Sequence, residues 1–270
     1  MPAGWSPGEP SGRRCFGGWG YGNNGRDVSF EADGFYNHIS NFIFADRIAS
    51  VFGGDSMQLG APVYKYTGDN SAILAGVTAY FNVHPSDAKW LEWKNGFTYI
   101  YSFLPGQTDS TQRIPFTPAP RLTSAIKLKP SDKAGSVLNS TYFLFGLEHD
   151  WVQNEIYSAL YNELPSLGYT LFNAGIGTNF VNPVTKRVVC SLIINCTNLF
   201  NIAYIDHTSR TQYFWAYNSV ENPTNFGAQA AVVTQRSQGI YNMGRNVGFK
   251  VIFPFGGHKV SDAELHGTGY

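Results

Sequence analysis

Two groups of side chains in this 270-residue chain have the residue types for metal or ligand chemistry. The first is Glu148, His149, Asp150 and Glu155, gathered at one end of a predicted strand. Carboxylate and imidazole together suit a divalent ion or a basic ligand. Alternation along the strand sets His149 on the face opposite Glu148 and Asp150, which weakens a joint site. Polar residues at a loop base are the plainer reading of this group. The second group is Asp206 and His207, beside Tyr204, Tyr213, Trp215 and Tyr217. Aromatic rings with one imidazole could cradle a haem or an aromatic siderophore, although long loops commonly pack on their own aromatics.

Catalytic arrangements are missing from the sequence. Glu148 and Asp150 share a strand face, but two carboxylates without a cleft are weak grounds for a glycosidase. Nothing matches a nucleophile elbow, a P-loop or an H-E-x-x-H zinc site, so no enzyme is expected. GYGNNG, with Gly20, Gly22 and Gly25, formally matches a dinucleotide fingerprint. It lacks a predicted strand before it and a helix after it, and is read as loop. Cys190 and Cys196 lie on one predicted strand, roughly 20 Å apart at 3.3 Å per residue, too far to bond each other. They share a face with Val188, Leu192 and Ile194, which suits apolar packing rather than metal ligation.

The elements that would position these residues are strands. Charged residues make up only 14% of the chain and the net charge is zero, so the basic footprint of a nucleic-acid binder is missing. Aromatics reach 16%, which favours β-structure and a surface needing interfacial rings. No run of 18 apolar residues is present, so no transmembrane helix is predicted. In YNMGRNVGFKVIFPF (241–255), Val247, Phe249, Val251, Phe253 and Phe255 fall on one face. Asn246, Gly248, Lys250 and Pro254 fall on the other, with Ile252 as an apolar exception. Similar alternation predicts strands over 27–38, 71–84, 89–101, 121–128, 141–151, 169–181, 187–200 and 245–255.

Connection lengths then sort by parity. HPSDAK, KPSDKAGSVLN and NPVTKR are short or modest, whereas 41–70, 102–120, 152–168 and 201–244 are long. Outer-membrane barrels alternate short periplasmic turns with long extracellular loops, and a soluble sandwich has no reason to. Trp90, Trp93, Tyr99, Tyr101, Trp151, Tyr169, Phe200 and Phe255 sit near strand ends, as interfacial aromatics do. The expected fold is an all-β, antiparallel up-and-down transmembrane barrel.

Three stretches carry a family resemblance: GYTLFNAGIGTNF (168–180), SLIINCTNLFNIAYIDHTSR (191–210) and YNMGRNVGFKVIFPF. They resemble the C-terminal end of TonB-dependent outer-membrane receptors. The family's N-L-F-N/D-x-x-Y block is matched by Asn198, Leu199, Phe200 and Asn201, then Tyr204. Its P-G-R-N-like turn is matched by Gly244, Arg245 and Asn246, with Met243 where Pro is usual. Upstream, FYNHISNFIF (35–44), PVYKYTGDNSAILAGV (62–77) and IPFTPAPRL (114–122) are similar to receptors of Bacteroidetes type and to the zinc- and haem-acquiring subgroup.

The resemblance implies a barrel of about 22 strands with a plugged lumen, of which this chain would supply about the last eight, a curved open sheet if alone. It implies a small metal-chelate ligand (iron siderophore, haem, zinc or cobalamin) met by extracellular loop residues Asp206, His207, Tyr213 and Trp215. It implies no resident cofactor, contact with outer-membrane lipid, and coupling to the TonB–ExbB–ExbD complex only through a plug domain not found here. The location implied is the outer membrane of a Gram-negative cell. MPAGWSPGEPSGRRC has no apolar leader segment, so the chain is expected to be a piece whose true start lies elsewhere. Its expected divisions are an irregular lead-in over 1–26, barrel over 27–255 and an unstructured tail over 256–270, which follows the Phe255 at which the family normally stops. The alternatives are a soluble β-sandwich that binds carbohydrate and a complete small eight-stranded barrel. What separates them is whether Phe143, Phe145, Phe249, Val251 and Phe253 pack inside or form an outward band roughly 25 Å tall.

Overall fold

The structure, a computed structural model, describes residues 11–21, 27–48, 63–130, 136–158, 163–185, 187–209 and 240–254. Nine strands form one sheet: β1 (Ser11–Tyr21), β2 (Val28–Ile48), β3 (Val63–Val83), β4 (Leu91–Phe103), β5 (Arg121–Leu128), β6 (Leu138–Asp150), β7 (Tyr169–Val181), β8 (Val188–Thr197) and β9 (Asn246–Ile252). Each pairs antiparallel with its sequence neighbours, in the order β1 to β9. β1 pairs only with β2 and β9 only with β8, so the sheet is open. A closed eight-stranded barrel is therefore not what forms. Among the described residues no second sheet faces the first, which removes the sandwich.

The period-2 expectation holds strand by strand, and β5 and β7 begin and end where the alternation places them. The register converts it into a surface. Val28, Val83, Trp93, Ile126, Phe145, Ala174, Cys196 and Val247 are successive partners across eight strands and share one face. None carries charge. Phe145 is 52% exposed, Phe249 80%, and Phe143, Val251 and Phe253 are exposed as well. Burying a large apolar side chain contributes about 1.5–3 kcal/mol, so a band of such residues left in water would forgo that gain many times over. Facing lipid, it forgoes nothing. One run of polar groups on this face is satisfied within it. Trp93 Nε1 donates to Ser124 Oγ (2.9 Å), Ser124 donates to Asn95 Oδ1 (2.8 Å), and Asn95 Nδ2 donates to the Phe81 carbonyl (3.2 Å). Hydrocarbon offers no partners, so such closure is required there.

The opposite face is polar. Thr98, Arg121, Asp150 and Tyr169 form one row across β4–β7. Glu92 holds Lys94 (2.7 Å) and Lys129 (3.1 Å) near the short turns. Gly177 lies under the ring of its partner Tyr142, where a Cβ would collide with ring carbons, and Lys127 Nζ caps that ring at 4.3 Å. The short turns use local polar chemistry. In the β7–β8 turn, Asn182 Oδ1 accepts from the amides of Val184 (2.9 Å) and Thr185 (3.0 Å).

Four differences from the sequence reading stand out. The irregular lead-in contains a strand: β1 pairs along its whole length with β2, from Ser11–His38 to Tyr21–Val28, so Gly20 of GYGNNG lies in a strand. That makes nine strands rather than about eight. β2 and β3 run far past the predicted limits, to Ile48 and back from Val63, through register shifts between Ile39, Phe42 and Phe44. The last strand is shorter than predicted, ending at Ile252. Phe255 and the tail 256–270 lie outside the described residues. With β1 included, the parity of short and long connections extends by one more short link.

Among the described residues, a packed apolar cluster forms where the long loops gather. Ala72, Leu104 and Tyr157 are buried together, with Ile39, Phe42, Phe44 and Ile114 against them. The β2–β3 hairpin supplies the support, because β3 pairs with β4 only up to Ile73–Phe103 while β2 and β3 continue to Ile48–Val63.

Candidate functional site

The loop end is organised around one buried carboxylate. Glu163, 1% exposed, accepts at Oε1 from the Phe116 amide (2.9 Å) and at Oε2 from the Tyr157 amide (2.9 Å). His207 Nε2 lies 2.6 Å from the same Oε1, and His207 Nδ1 lies 2.9 Å from Ser166 Oγ. Glu163 therefore joins the 104–120, 151–168 and 198–245 connections at one point. A buried carboxylate is stable only when donors converge on it, and here three do. Gln153 reinforces the junction, its Nε2 donating to the Thr117 and Pro118 carbonyls (3.2 Å each). Tyr157 ties the junction to the hairpin, its hydroxyl donating to Asp46 Oδ1 (2.6 Å) and its ring meeting Phe44 edge-on at 5.7 Å. Burial first, and then that carboxylate, push the Tyr157 hydroxyl above the ordinary tyrosine range. Arg113 donates to the Ser102 carbonyl (2.9 Å), pairs with Glu155 and lies over the Tyr101 ring at 4.5 Å.

Below this junction, Arg121 gathers three carboxylates on the polar face. Its Nε donates to Asp150 Oδ1 (2.8 Å), its Nη2 to Asp206 Oδ2 (3.1 Å), and its Nη1 lies 3.7 Å from Glu148. Tyr169 also donates to Asp206 Oδ2 (3.2 Å), and the Tyr169 and Tyr204 rings are 4.5 Å apart. Burial works against ionised Asp206, yet donation from the Thr208 hydroxyl and amide, from Tyr169 and from Arg121 prevails, and its carboxyl sits below the usual range. Burial raises the Tyr204 hydroxyl. Asp150 Oδ2 is buried without a donor. Among the described residues three carboxylates thus meet one guanidinium, a donor set suited to a cationic group. Among the described residues no set of three or more ligating side chains converges as a metal site would require.

The base of the longest loop is held by the asparagines of the N-L-F-N block. Asn198 and Asn201 both adopt left-handed backbone, φ 50° and 55°, which asparagine tolerates better than most residues. Asn198 Oδ1 accepts from the Ile202 amide (2.8 Å), its Nδ2 donates to the Ile202 carbonyl (2.8 Å), and its own amide donates to Asn173 Oδ1 (2.9 Å). The Leu199 amide reaches the Phe172 carbonyl (2.7 Å), and Phe200 packs edge-on against Phe172 at 5.2 Å. Asn201 Oδ1 accepts from the Arg245 amide (2.9 Å). A Cβ on Gly244 would come within 2.6 Å of that Oδ1, so the turn into β9 needs glycine. Asn246 then opens β9, opposite Thr197.

The sequence-predicted groups are thus partly brought together. Glu148 and Asp150 do share a centre, with Arg121 and Asp206 rather than with His149. His149 faces outward, against Thr170 Oγ1 (2.8 Å) and the Trp151 ring (4.6 Å), and Glu155 goes to Arg113. His207, 3% exposed with both ring nitrogens engaged by Glu163 and Ser166, is built into the loop junction. Tyr213 and Trp215 lie outside the described residues. Glu163, Ser166 and Arg113 were not singled out beforehand. Arg121 could have been, since parity places it on the polar face with Glu148 and Asp150.

The model of the TonB-dependent receptor-like β-barrel family matches residues 17–199. No curated protein matches the chain by sequence. Among solved structures, the copper transporter OprC is 14% identical, with a TM-score of 0.61 over 86% of this chain and 30% of that one. The FrpB iron transporter from Neisseria meningitidis is 11% identical, with a TM-score of 0.55 over 89% of this chain and 30% of that one. The pyoverdine outer membrane receptor FpvA from Pseudomonas aeruginosa PAO1, bound to pyoverdine, is 15% identical, with a TM-score of 0.53 over 91% of this chain and 30% of that one. These likenesses are of fold, and the chain spans about 30% of the length of each. The open sheet, its uncharged outward face and a family model covering more than half of the residues lead to one assignment: the chain belongs to the TonB-dependent receptor β-barrel family.

Proposed function

We propose that the chain forms wall and extracellular loops of an outer-membrane receptor that takes up a scarce metal chelate. The candidates are an iron siderophore, haem, zinc or cobalamin, and the energised TonB complex would drive entry by pulling on a plug domain. The observation that carries the reading is the division of the sheet: an uncharged, exposed outward face and a polar inward one, topped by hydrogen-bonded loops. Lipid accounts for the first and an aqueous or plugged lumen for the second. The copper, iron and pyoverdine proteins of similar fold favour a metal chelate as cargo. The motifs at 35–44, 62–77 and 114–122 favour a Bacteroidetes-type receptor near the zinc- and haem-acquiring subgroup.

In this reading residues 201–244 form the loop that meets the ligand, with Tyr213 and Trp215 as contact residues and Asp206 and His207 as anchors. The carboxylates of Glu148, Asp150 and Asp206 on the polar face meet the cationic part of the cargo. Residues 27–255 act as one wall segment. The chain by itself does not transport, because an open sheet leaves unpaired backbone at both edges in a medium that cannot satisfy it. Titrating the full chain in detergent with a ferric catecholate, haem, zinc and cobalamin tests the loop assignment. One of them is expected to bind, and Trp215→Ala to weaken it. Failure of all four against a longer chain that contains this one would sink the assignment, and energy-dependent uptake by this chain alone would overturn the division of labour.

A further inference from the structure

The outward face is not uniformly convex. Across β2, β3 and β4, successive partners read Tyr36–Ala75–Tyr101, then Gly34–Val77–Tyr99, then Ala32–Ala79–Phe97. Small residues therefore run side by side along β2 and β3, with aromatic rings of β4 standing along one side. The result is an open apolar trough of about 560 Å3, lined by the outward residues Gly34, Tyr36, Ala75, Val77, Tyr99 and Tyr101, with the backbone at Phe35 and Gly76 between them. Elsewhere the same face carries projecting side chains such as Phe145 and Phe249.

We propose that this trough is a binding site for one acyl chain of a lipid in the leaflet nearest the long loops. The proposal rests on the membrane reading given above and adds a preferred position within the band. Three features select that occupant. The lining is apolar and has no charged side chain, so it recognises hydrocarbon. The trough is continuous with the lipid-facing band on the strands either side of it. Its Tyr36–Ala75–Tyr101 row lies two residues from the Ile73–Phe103 pair that ends β4, so the trough opens toward the long-loop boundary of the membrane. There the half-exposed Tyr36 and Tyr101 rings offer hydroxyl donors at the depth of an ester carbonyl, the usual place for amphipathic aromatics. The chain lies along the strands, and Ala75 and Gly34 leave it room that a larger side chain would take.

The test is photolabelling of a longer chain that contains this one and closes the barrel, in vesicles of phosphatidylethanolamine that carry a diazirine on one acyl chain, followed by peptide mapping. Adducts are expected on residues 32–36 and 75–79 at five-fold or more over the equally outward 143–147 and 247–251. Ala75→Phe, which fills the trough, is expected to abolish that excess while leaving label elsewhere unchanged. Adducts distributed in proportion to exposure overturn the site and leave the membrane reading standing. Protection of the trough from label, as a second copy seated there would give, also overturns it. Absence of label from every outward position would instead remove the membrane reading beneath it.

Discussion

The loop junction and the outward band are built from similar side chains by opposite rules. At the junction, Leu104 is fully buried, Tyr157 is packed on Phe44, and each polar group of Glu163 and His207 has a partner. Across the band, Phe145, Phe249 and Val251 are exposed. The first region is ordinary protein interior, stabilised by the chain's own contacts. The second is completed by its surroundings. Stability at one end is thus a property of the sequence, and at the other a property of the sequence together with its solvent.

That contrast can be broken most forcefully at Glu163. Glu163→Ala removes the acceptor of the Phe116 and Tyr157 amides and the partner of His207 Nε2, an expected local loss of about 3–5 kcal/mol. Amide hydrogen exchange should show 104–120 and 151–158 opening together while β7 and β8 keep their protection; unchanged exchange in the loops would remove Glu163 as their junction. Leu104→Ala empties a packed position and is expected to cost about 2–5 kcal/mol in any solvent. Phe249→Arg sharpens the other side. It should cost about 2–4 kcal/mol near the midplane of a bilayer, and equal stability of variant and parent in lipid would contradict the outward assignment. A smaller effect, about 1 kcal/mol, is expected for Asn201→Ala, which removes the acceptor for the Arg245 amide, and it is read from the exchange rate of that amide.

The smallest effect is one of pH. Because Asp206 is held below its unfolded value, about 3.9, its contribution is fully present above that value and is lost as pH falls through the lower folded one. Loop release at 198–209, followed by fluorescence or exchange, should therefore be flat from neutrality to about pH 4 and begin only below it. Release between pH 5 and 7 would point to another group.

The two regions also differ in how far the sequence discloses them. The band was legible because a period of two needs only neighbours: Val247, Phe249 and Val251 announce their common face within one strand. The motif asparagines were visible as letters, and the structure supplies their reason in left-handed backbone and the Gly244 approach. β1 was missed because Gly12, Gly17, Gly18 and Gly20 interrupt any alternation, although backbone pairing requires none. The junction was illegible for a different reason. Glu163 meets Phe116 and His207 across 47 and 44 residues of chain, and no local pattern marks such a meeting. His207 is visible as an imidazole in the sequence, but its Glu163 and Ser166 partners are not.

The β2–β3 hairpin has a mechanical consequence. Its residues 63–72 continue beyond the last β3–β4 pair, a projection of about 30 Å at 3.3 Å per residue. The two register shifts fall where it leaves the wall, and bulged strands bend at such points. The hairpin is therefore a lever with its pivot at the rim, and the Tyr157–Asp46 and Tyr157–Phe44 contacts act as its stay. A load applied to the lever passes through the stay into the 151–168 connection.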